Sequence, residues 1–145
     1  SDWSSDVCSS DLVSNWIGNE VVCSVGEQRI DVLTITKTRK NCCIRIIELK
    51  DETPHKYIVE QQLKWYIMWV IQYLVPNLSS SEIIIKPTII AENFKRRSNR
   101  KTEFLEACEN FNNKKIEQLF KVKIEPVEFI SFNRNDENIS FEKVF

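Results

Sequence analysis

The stretch "RIDVLTITKTRKNCCIRIIELK", residues 29 to 50, decides the fold. It reads as two apolar runs rich in β-branched residues around a polar turn, which predicts a β-hairpin. The strands fall at 28–36 and 42–50, and "KTRKN" (37–41) forms the turn. Both strands are apolar on both faces over much of their length, which predicts central strands of a covered sheet. Yet Asp31 sits inside the first strand, and Glu48 and Lys50 close the second. Side chains alternate along a strand, so Glu48 and Lys50 share a face with Ile44 and Ile46, while Asp31 shares one with Leu33 and Ile35. Pairing the two strands brings Asp31 opposite the Glu48–Lys50 end. Burying a carboxylate without a partner is costly or forces it to take a proton, and two side by side are worse unless a cation lies between them. A divalent, oxygen-seeking ion such as Mg²⁺ resolves that conflict. The plain alternative for these three residues is a strand-end ion pair, which costs little if exposed.

Outward from the hairpin, "NEVVCSV" (19–25) predicts a preceding strand, with Gly26 allowing the turn. On the other side, a helix is expected from Pro54 to Val75, with Thr53 as N-cap and Pro76 as its stop. Ile58, Leu63, Ile67, Val70, Ile71 and Leu74 recur along it at helical spacing. Further on come a strand over 81–93, whose Pro87 suggests an edge or a bulge, and a basic loop over 94–101. A helix over 101–115 capped at Thr102 follows. A strand over 119–132 is broken near Pro126, and a last strand over 139–145 pairs with it across "NRNDEN" (133–138). The order β-β-β-α-β-α-β-β predicts an α/β layered domain, a central mixed β-sheet flanked by helices.

The 145 residues suggest a single domain with a real core. Apolar residues make up 42 % and charged residues 28 %, and there are only two glycines, so low-complexity character is excluded. Residues 1–12, "SDWSSDVCSSDL", are set apart: they lack periodicity and resemble a translated sequencing-library adaptor. The segment holds three acids (Asp2, Asp6, Asp11) and no base, so the net charge of −1 becomes +2 without it. The domain is then expected over 13–145, shortened at its N-terminus. With so little net charge, any anion binding must be local. Five cysteines show no C-x-x-C pair, and the single His55 has no spacing partner, so a zinc site is not expected. A reducing, cytoplasmic setting is the natural reading. The longest apolar run, 65–75, is too short for a bilayer, so no membrane association is expected.

The helix adds a second element. Gln62 and Tyr66 lie four residues apart on one helical face and can aim at the carboxylate end of the sheet. Taken together, Asp31 in "GEQRIDVL" (26–33), Glu48-Leu49-Lys50 in "IIELK" (46–50) and Gln62 to Tyr66 in "QLKWY" (62–66) resemble the PD-(D/E)XK nuclease superfamily. More narrowly, the pattern is similar to the C-terminal nuclease domain of the NucS/EndoMS mismatch endonucleases and to the RecB-like nucleases. It covers about residues 19 to 93. An E-x-K triplet alone is weak; three elements in order on the expected secondary structures are far more specific.

The resemblance implies a restriction-endonuclease-like core and a metal-dependent DNA endonuclease acting in DNA repair. It implies that Asp31, Glu48 and the backbone carbonyl of Leu49 ligate Mg²⁺ or Mn²⁺ and that Lys50 positions or activates the hydrolytic water. Gln62 and Tyr66 would support the site and touch DNA. The sequence departs from the pattern in placing its glycine five residues before the aspartate. Many members also carry a glutamate on an N-terminal helix; Glu20 is the only nearby acid here. Full-length NucS proteins have a separate DNA-binding domain, so a further domain or a homodimer is compatible with this chain. Lys95, Arg96, Arg97, Arg100 and Lys101 in "KRRSNRK" are candidate phosphate contacts, set against a plain solvated loop. Of the aromatic set Trp65, Tyr66, Trp69 and Tyr73, core packing is expected for all but Tyr66, although each offers a base-stacking surface. The alternative to an enzyme is an inactive nuclease-fold module that binds nucleic acid or a partner.

Overall fold

The computed structural model describes residues 12–23, 28–79 and 82–145. The adaptor-like segment up to residue 11, and the Gly26 turn, lie outside them. The hairpin forms as expected. Strands β2 (Arg29–Thr38) and β3 (Asn41–Leu49) are antiparallel, with Val32 opposite Ile47 and Lys37 opposite Cys42. The turn is tighter than the expected 37–41, only Arg39 and Lys40. Thr38 explains this. Its Oγ1 accepts the Asn41 N–H (3.0 Å) and the Lys40 N–H (3.3 Å), and donates toward the Asn41 carbonyl and side chain (3.2 and 3.1 Å). A threonine hydroxyl here does what Asn-Gly does elsewhere.

Strand β1 (Leu12–Val22) pairs antiparallel with β2 and forms one edge of the sheet. It is longer than the expected 19–25, starts seven residues earlier and ends before Cys23. Beside this edge strand β2 is half-buried rather than a covered central strand, while β3 is buried from Cys42 to Glu48.

The segment after β3 carries the chain across one face of the sheet. Helix α1 covers residues 56–77: π-helical turns at Ile58–Leu63 and Val70–Leu74 flank an α-helical middle, Lys64–Trp69, and a 3₁₀ turn, Val75–Asn77, closes it. The expected start at Pro54 is corrected, since residues 52–54 form a loop fixed by Arg100. Its guanidinium donates to the Thr53 and Pro54 carbonyls and pairs with Glu52 (3.4 Å). Pro76 lies within the closing turn, where a missing N–H costs nothing.

Strand β4 (Glu82–Glu92) lies parallel to β3, with Ile46 opposite Pro87 and Glu48 opposite Ile89. β4 is an interior strand, so Pro87 marks no edge; the expected bulge is present, since the register on the far side shifts by one residue between Ile85–Ile124 and Thr88–Glu128. On its far side run two short parallel strands, β5 (Lys123–Ile124) beside Ile84 and Ile85, and β6 (Glu128–Asn135) beside Thr88 to Glu92. The Ile85 carbonyl accepts the Glu125 N–H (2.9 Å), so Ile85 faces that side. Two residues on, Pro87 turns its nitrogen the same way. It meets the interruption between β5 and β6, where Pro126 lies, and no ladder bond is lost.

The helix expected over 101–115 is two helices, α2 (Asn99–Glu109) and α3 (Lys114–Phe120). Ser98, not Thr102, caps α2 by accepting the Lys101 N–H (3.2 Å). Leu119 and Phe120, expected in a strand, end α3, and Lys121 follows in the left-handed region (φ 54°). Strand β7 (Asn138–Lys143) closes the second edge, antiparallel to β6 across a two-residue turn in which Asp136 takes φ 47°.

The result is an α/β domain with a mixed seven-stranded sheet, β1-β2-β3-β4-β6-β7, with β5 beside β4. The helical face is the core. Leu33, Ile44, Ile46, Ile85 and Ile89 pack there against Leu63, Ile67 and Val70 of α1. Phe104 of α2 stacks edge-on to Phe129 (5.4 Å between centroids). The opposite face holds a buried ion pair, Arg45 with Glu128 (2.8 Å), joined by Thr88. Among the described residues no helix is long and apolar enough to cross a membrane.

Candidate active site

The candidate site lies where the core face of the hairpin runs out. Asp31 and Glu48 lie just past the last β2–β3 pair, Val32–Ile47, and their carboxyl groups stand beside each other. Side chains alternate along a strand. Glu48 therefore continues the row Ile44, Ile46, and is buried with them at 4 % exposure. An apolar row ending in a buried carboxylate is the local conflict that the sequence poses.

Three neighbours define its electrostatics. Asp31 Oδ2 accepts the backbone N–H of Leu49 at 2.8 Å, which fixes that carboxylate against the end of β3. Lys50 Nζ lies 3.7 Å from Glu48 Oε1. Glu48 Oε2 is buried and has no hydrogen-bond partner. Burial, with the Asp31 charge and carboxyl beside it, pushes the Glu48 carboxyl up to about 8, and the Lys50 ammonium offsets only part of this. At neutral pH and without a cation, Glu48 holds a proton.

Helix α1 covers the site from above. Tyr66 is buried at 5 % exposure, and burial together with the charges of Glu48, Cys23 and Asp31 raises its phenol well above the ordinary value. It remains a protonated donor facing the carboxylates. One turn earlier, Gln62 Oε1 is also buried without a partner. Gln62 lies in the π-helical stretch Ile58–Leu63, and π turns inside helices recur at functional sites. Two orphaned oxygens, one on the sheet and one on the helix above it, need a donor or a cation.

Cys23 also belongs to this neighbourhood, although no motif in the sequence includes it. It lies just past β1, buried, with Sγ donating to the Gln28 carbonyl (3.3 Å). Burial raises its thiol pKa first, and the Glu48 charge adds to that. No spacing rule singles it out, because it lies one residue past the end of β1, outside that strand's alternation. Glu20 does not join. Its backbone is in the left-handed region (φ 48°), and its exposed carboxylate pairs with Arg29 (3.9 Å). Among the described residues no group of three or more His, Cys, Asp or Glu side chains assembles as a metal cage. The acidic donors are therefore the pair Asp31 and Glu48.

The basic segment divides by role. Arg100 is held by the 52–54 loop, and the backbone N–H of Lys101 donates to the Ser98 cap of α2. Lys95 pairs with Glu92 (3.4 Å) while 84 % exposed. Arg96 and Arg97 are exposed and make no ion pair among the described residues. Of the aromatic residues on α1, Trp69 packs on the core as expected; the expectation is reversed for the others, Tyr66 being buried while Trp65 and Tyr73 are 51 % and 61 % exposed. No protein-family model, no curated protein and no solved structure matches this chain.

Proposed function

We propose that the chain is a metal-dependent DNA endonuclease domain with a restriction-endonuclease-like core, hydrolysing phosphodiester bonds at the Asp31–Glu48–Lys50 end of the sheet. One observation carries this reading: a buried carboxylate oxygen, Glu48 Oε2, with no donor, beside a second carboxylate. Left to protein groups alone, that arrangement is unfavourable. A Mg²⁺ or Mn²⁺ ion fits it, since such ions take one or two carboxylates and keep several waters.

When bound, the ion would supply Lewis acidity toward a phosphate oxygen and a lowered pKa for water. The chain's own residues do the rest. Asp31, tied down by the Leu49 N–H, and Glu48, locked in the core face, are pre-positioned donors that need no reorganisation. The Leu49 carbonyl sits between Glu48 and Lys50 in sequence and is the third donor this reading assigns. Lys50, partly exposed at the site mouth, holds a positive charge where negative charge grows on a phosphate in attack. Tyr66 and Gln62 orient the site from the helix, the phenol donating because its proton is held so firmly.

Isothermal titration of the chain with Mn²⁺, paired with cleavage of single-stranded, branched and mismatched DNA, tests the reading. Metal binding lost in Asp31→Ala and cleavage strongly reduced in Lys50→Ala are expected. Absence of both binding and cleavage in the folded chain would leave a non-catalytic nucleic-acid-binding or partner-binding module.

A further inference from the structure

Beside the site, α1 presents a groove that no other element among the described residues fills. Trp65, Trp69, Gln72 and Tyr73 line it along one side of the helix, with Lys64 at its rim and Cys23 at its inner end. Its volume is about 610 Å³. The spacing 65, 69, 73 keeps the three rings on one side of the helix. Trp69 is half-buried and anchored on the core, and its ring lies 6.0 Å from Tyr73 at a tilt of 35°. Trp65 and Tyr73 leave half or more of their surface in solvent. Lys64 is the one formal charge among the described lining residues, and no carboxylate is present.

From this we infer that the groove is a stacking platform for unpaired nucleobases, and that the strand cut at the Asp31–Glu48 site enters it as a single-stranded segment. The inference rests on the nuclease reading of that site. Two relations favour this occupant. Trp65 of the groove is the chain neighbour of Tyr66, which is buried on the core side of the same helix, so the groove flanks the helix that covers the site. The groove's chemistry is also that of a single-strand channel: ring faces for bases, amides for their edges, and a cation with no competing acid for phosphate. In a duplex the base faces are already stacked, so these rings have nothing to take up.

The test is tryptophan fluorescence of the full chain titrated in EDTA with a short oligothymidylate, a matching abasic strand and a blunt duplex. Expected are quenching by the oligothymidylate, weaker binding of the other two, and about tenfold weaker oligothymidylate binding in each of Trp65→Ala and Tyr73→Ala. Trp65→Phe, which keeps a ring, restores most of the affinity and guards against misfolding as the cause. Equal affinity for oligothymidylate and abasic strand overturns the inference. So does an unchanged affinity in both alanine variants, including the case in which Trp65→Ala converts a dimer to a monomer and marks the groove as an interface between copies. The two readings fail separately: oligothymidylate stacking without any Mg²⁺- or Mn²⁺-dependent cleavage removes the nuclease, while cleavage without base-dependent quenching removes the platform.

Discussion

Asp31 Oδ2 accepts the N–H of Leu49 at 2.8 Å, so the carboxylate of one strand is fastened to the residue between Glu48 and Lys50 on the next. The bond uses one lone pair of the carboxylate and sets the direction of the others. Asp31→Asn keeps the size and removes the charge. Its expected outcome is loss of Mn²⁺ binding in calorimetry, with a loss of stability of about 1 kcal/mol in urea, because the neutral amide oxygen still accepts the Leu49 N–H but more weakly.

Glu48 makes stability depend on pH with a definite sign. Its folded-state carboxyl titrates near 8 against an ordinary 4.5. Between those values the folded chain keeps a proton that the unfolded chain has lost. The stability contribution is therefore full below about pH 4.5 and is lost as pH rises through about 8. Melting in EDTA from pH 5 to pH 9 is expected to show a falling midpoint that Glu48→Gln flattens. Mn²⁺ at pH 9 is expected to raise the wild-type midpoint and leave that of Glu48→Gln unmoved.

Lys50 acts on the same carboxyl from the opposite direction. Removing its charge in Lys50→Ala takes away the one stabilising cation near Glu48, so the carboxyl holds its proton to still higher pH. Cleavage is expected to fall by about two to three orders of magnitude. The residual rate is expected to have its alkaline rise displaced to higher pH, measured as a rate profile with Mn²⁺. A fall in rate with no displacement would separate Lys50 from Glu48.

The basic loop is expected to split in a salt titration. Arg96→Ala and Arg97→Ala each reduce the slope of log affinity for DNA against log salt by about one. Arg100→Ala leaves the slope unchanged and lowers the melting midpoint, because its guanidinium serves the Thr53 and Pro54 carbonyls and Glu52.

Thr38→Val keeps the side-chain shape and removes the hydroxyl that closes the β2–β3 turn. The Lys40 and Asn41 N–H groups lose their acceptor in a part-buried place. Destabilisation of about 1–3 kcal/mol is expected in urea unfolding.

The hairpin, its charges and their shared face were legible because alternation is a property of single strands and needs no knowledge of neighbours. The helix core positions Leu63, Ile67, Val70 and Ile71 were legible for the same reason. What failed depended on partners. Pro87 looked like an edge residue because its own strand gives no hint that the neighbouring strand is interrupted beside it. Residues 110–113 separate two helices without a proline or glycine to announce it. The exposure of Trp65 and the burial of Tyr66 are set by a rotation of α1 that periodicity leaves open within one residue. Cys23 lies past the end of β1 and belongs to no pattern on that strand.

The paired interruptions at Pro87 and Pro126 also act as an alignment key. If β5 and β6 slid along β4 by two residues, a residue with no N–H would come to stand where a ladder bond is required, and Glu128 would leave Arg45 unneutralised inside the sheet. A slip by one would turn the whole Phe129 row away from the core. Only one alignment of the C-terminal third against β4 satisfies both, so the parallel pairing of distant segments, ordinarily the most error-prone step in building such a sheet, carries its own proofreading.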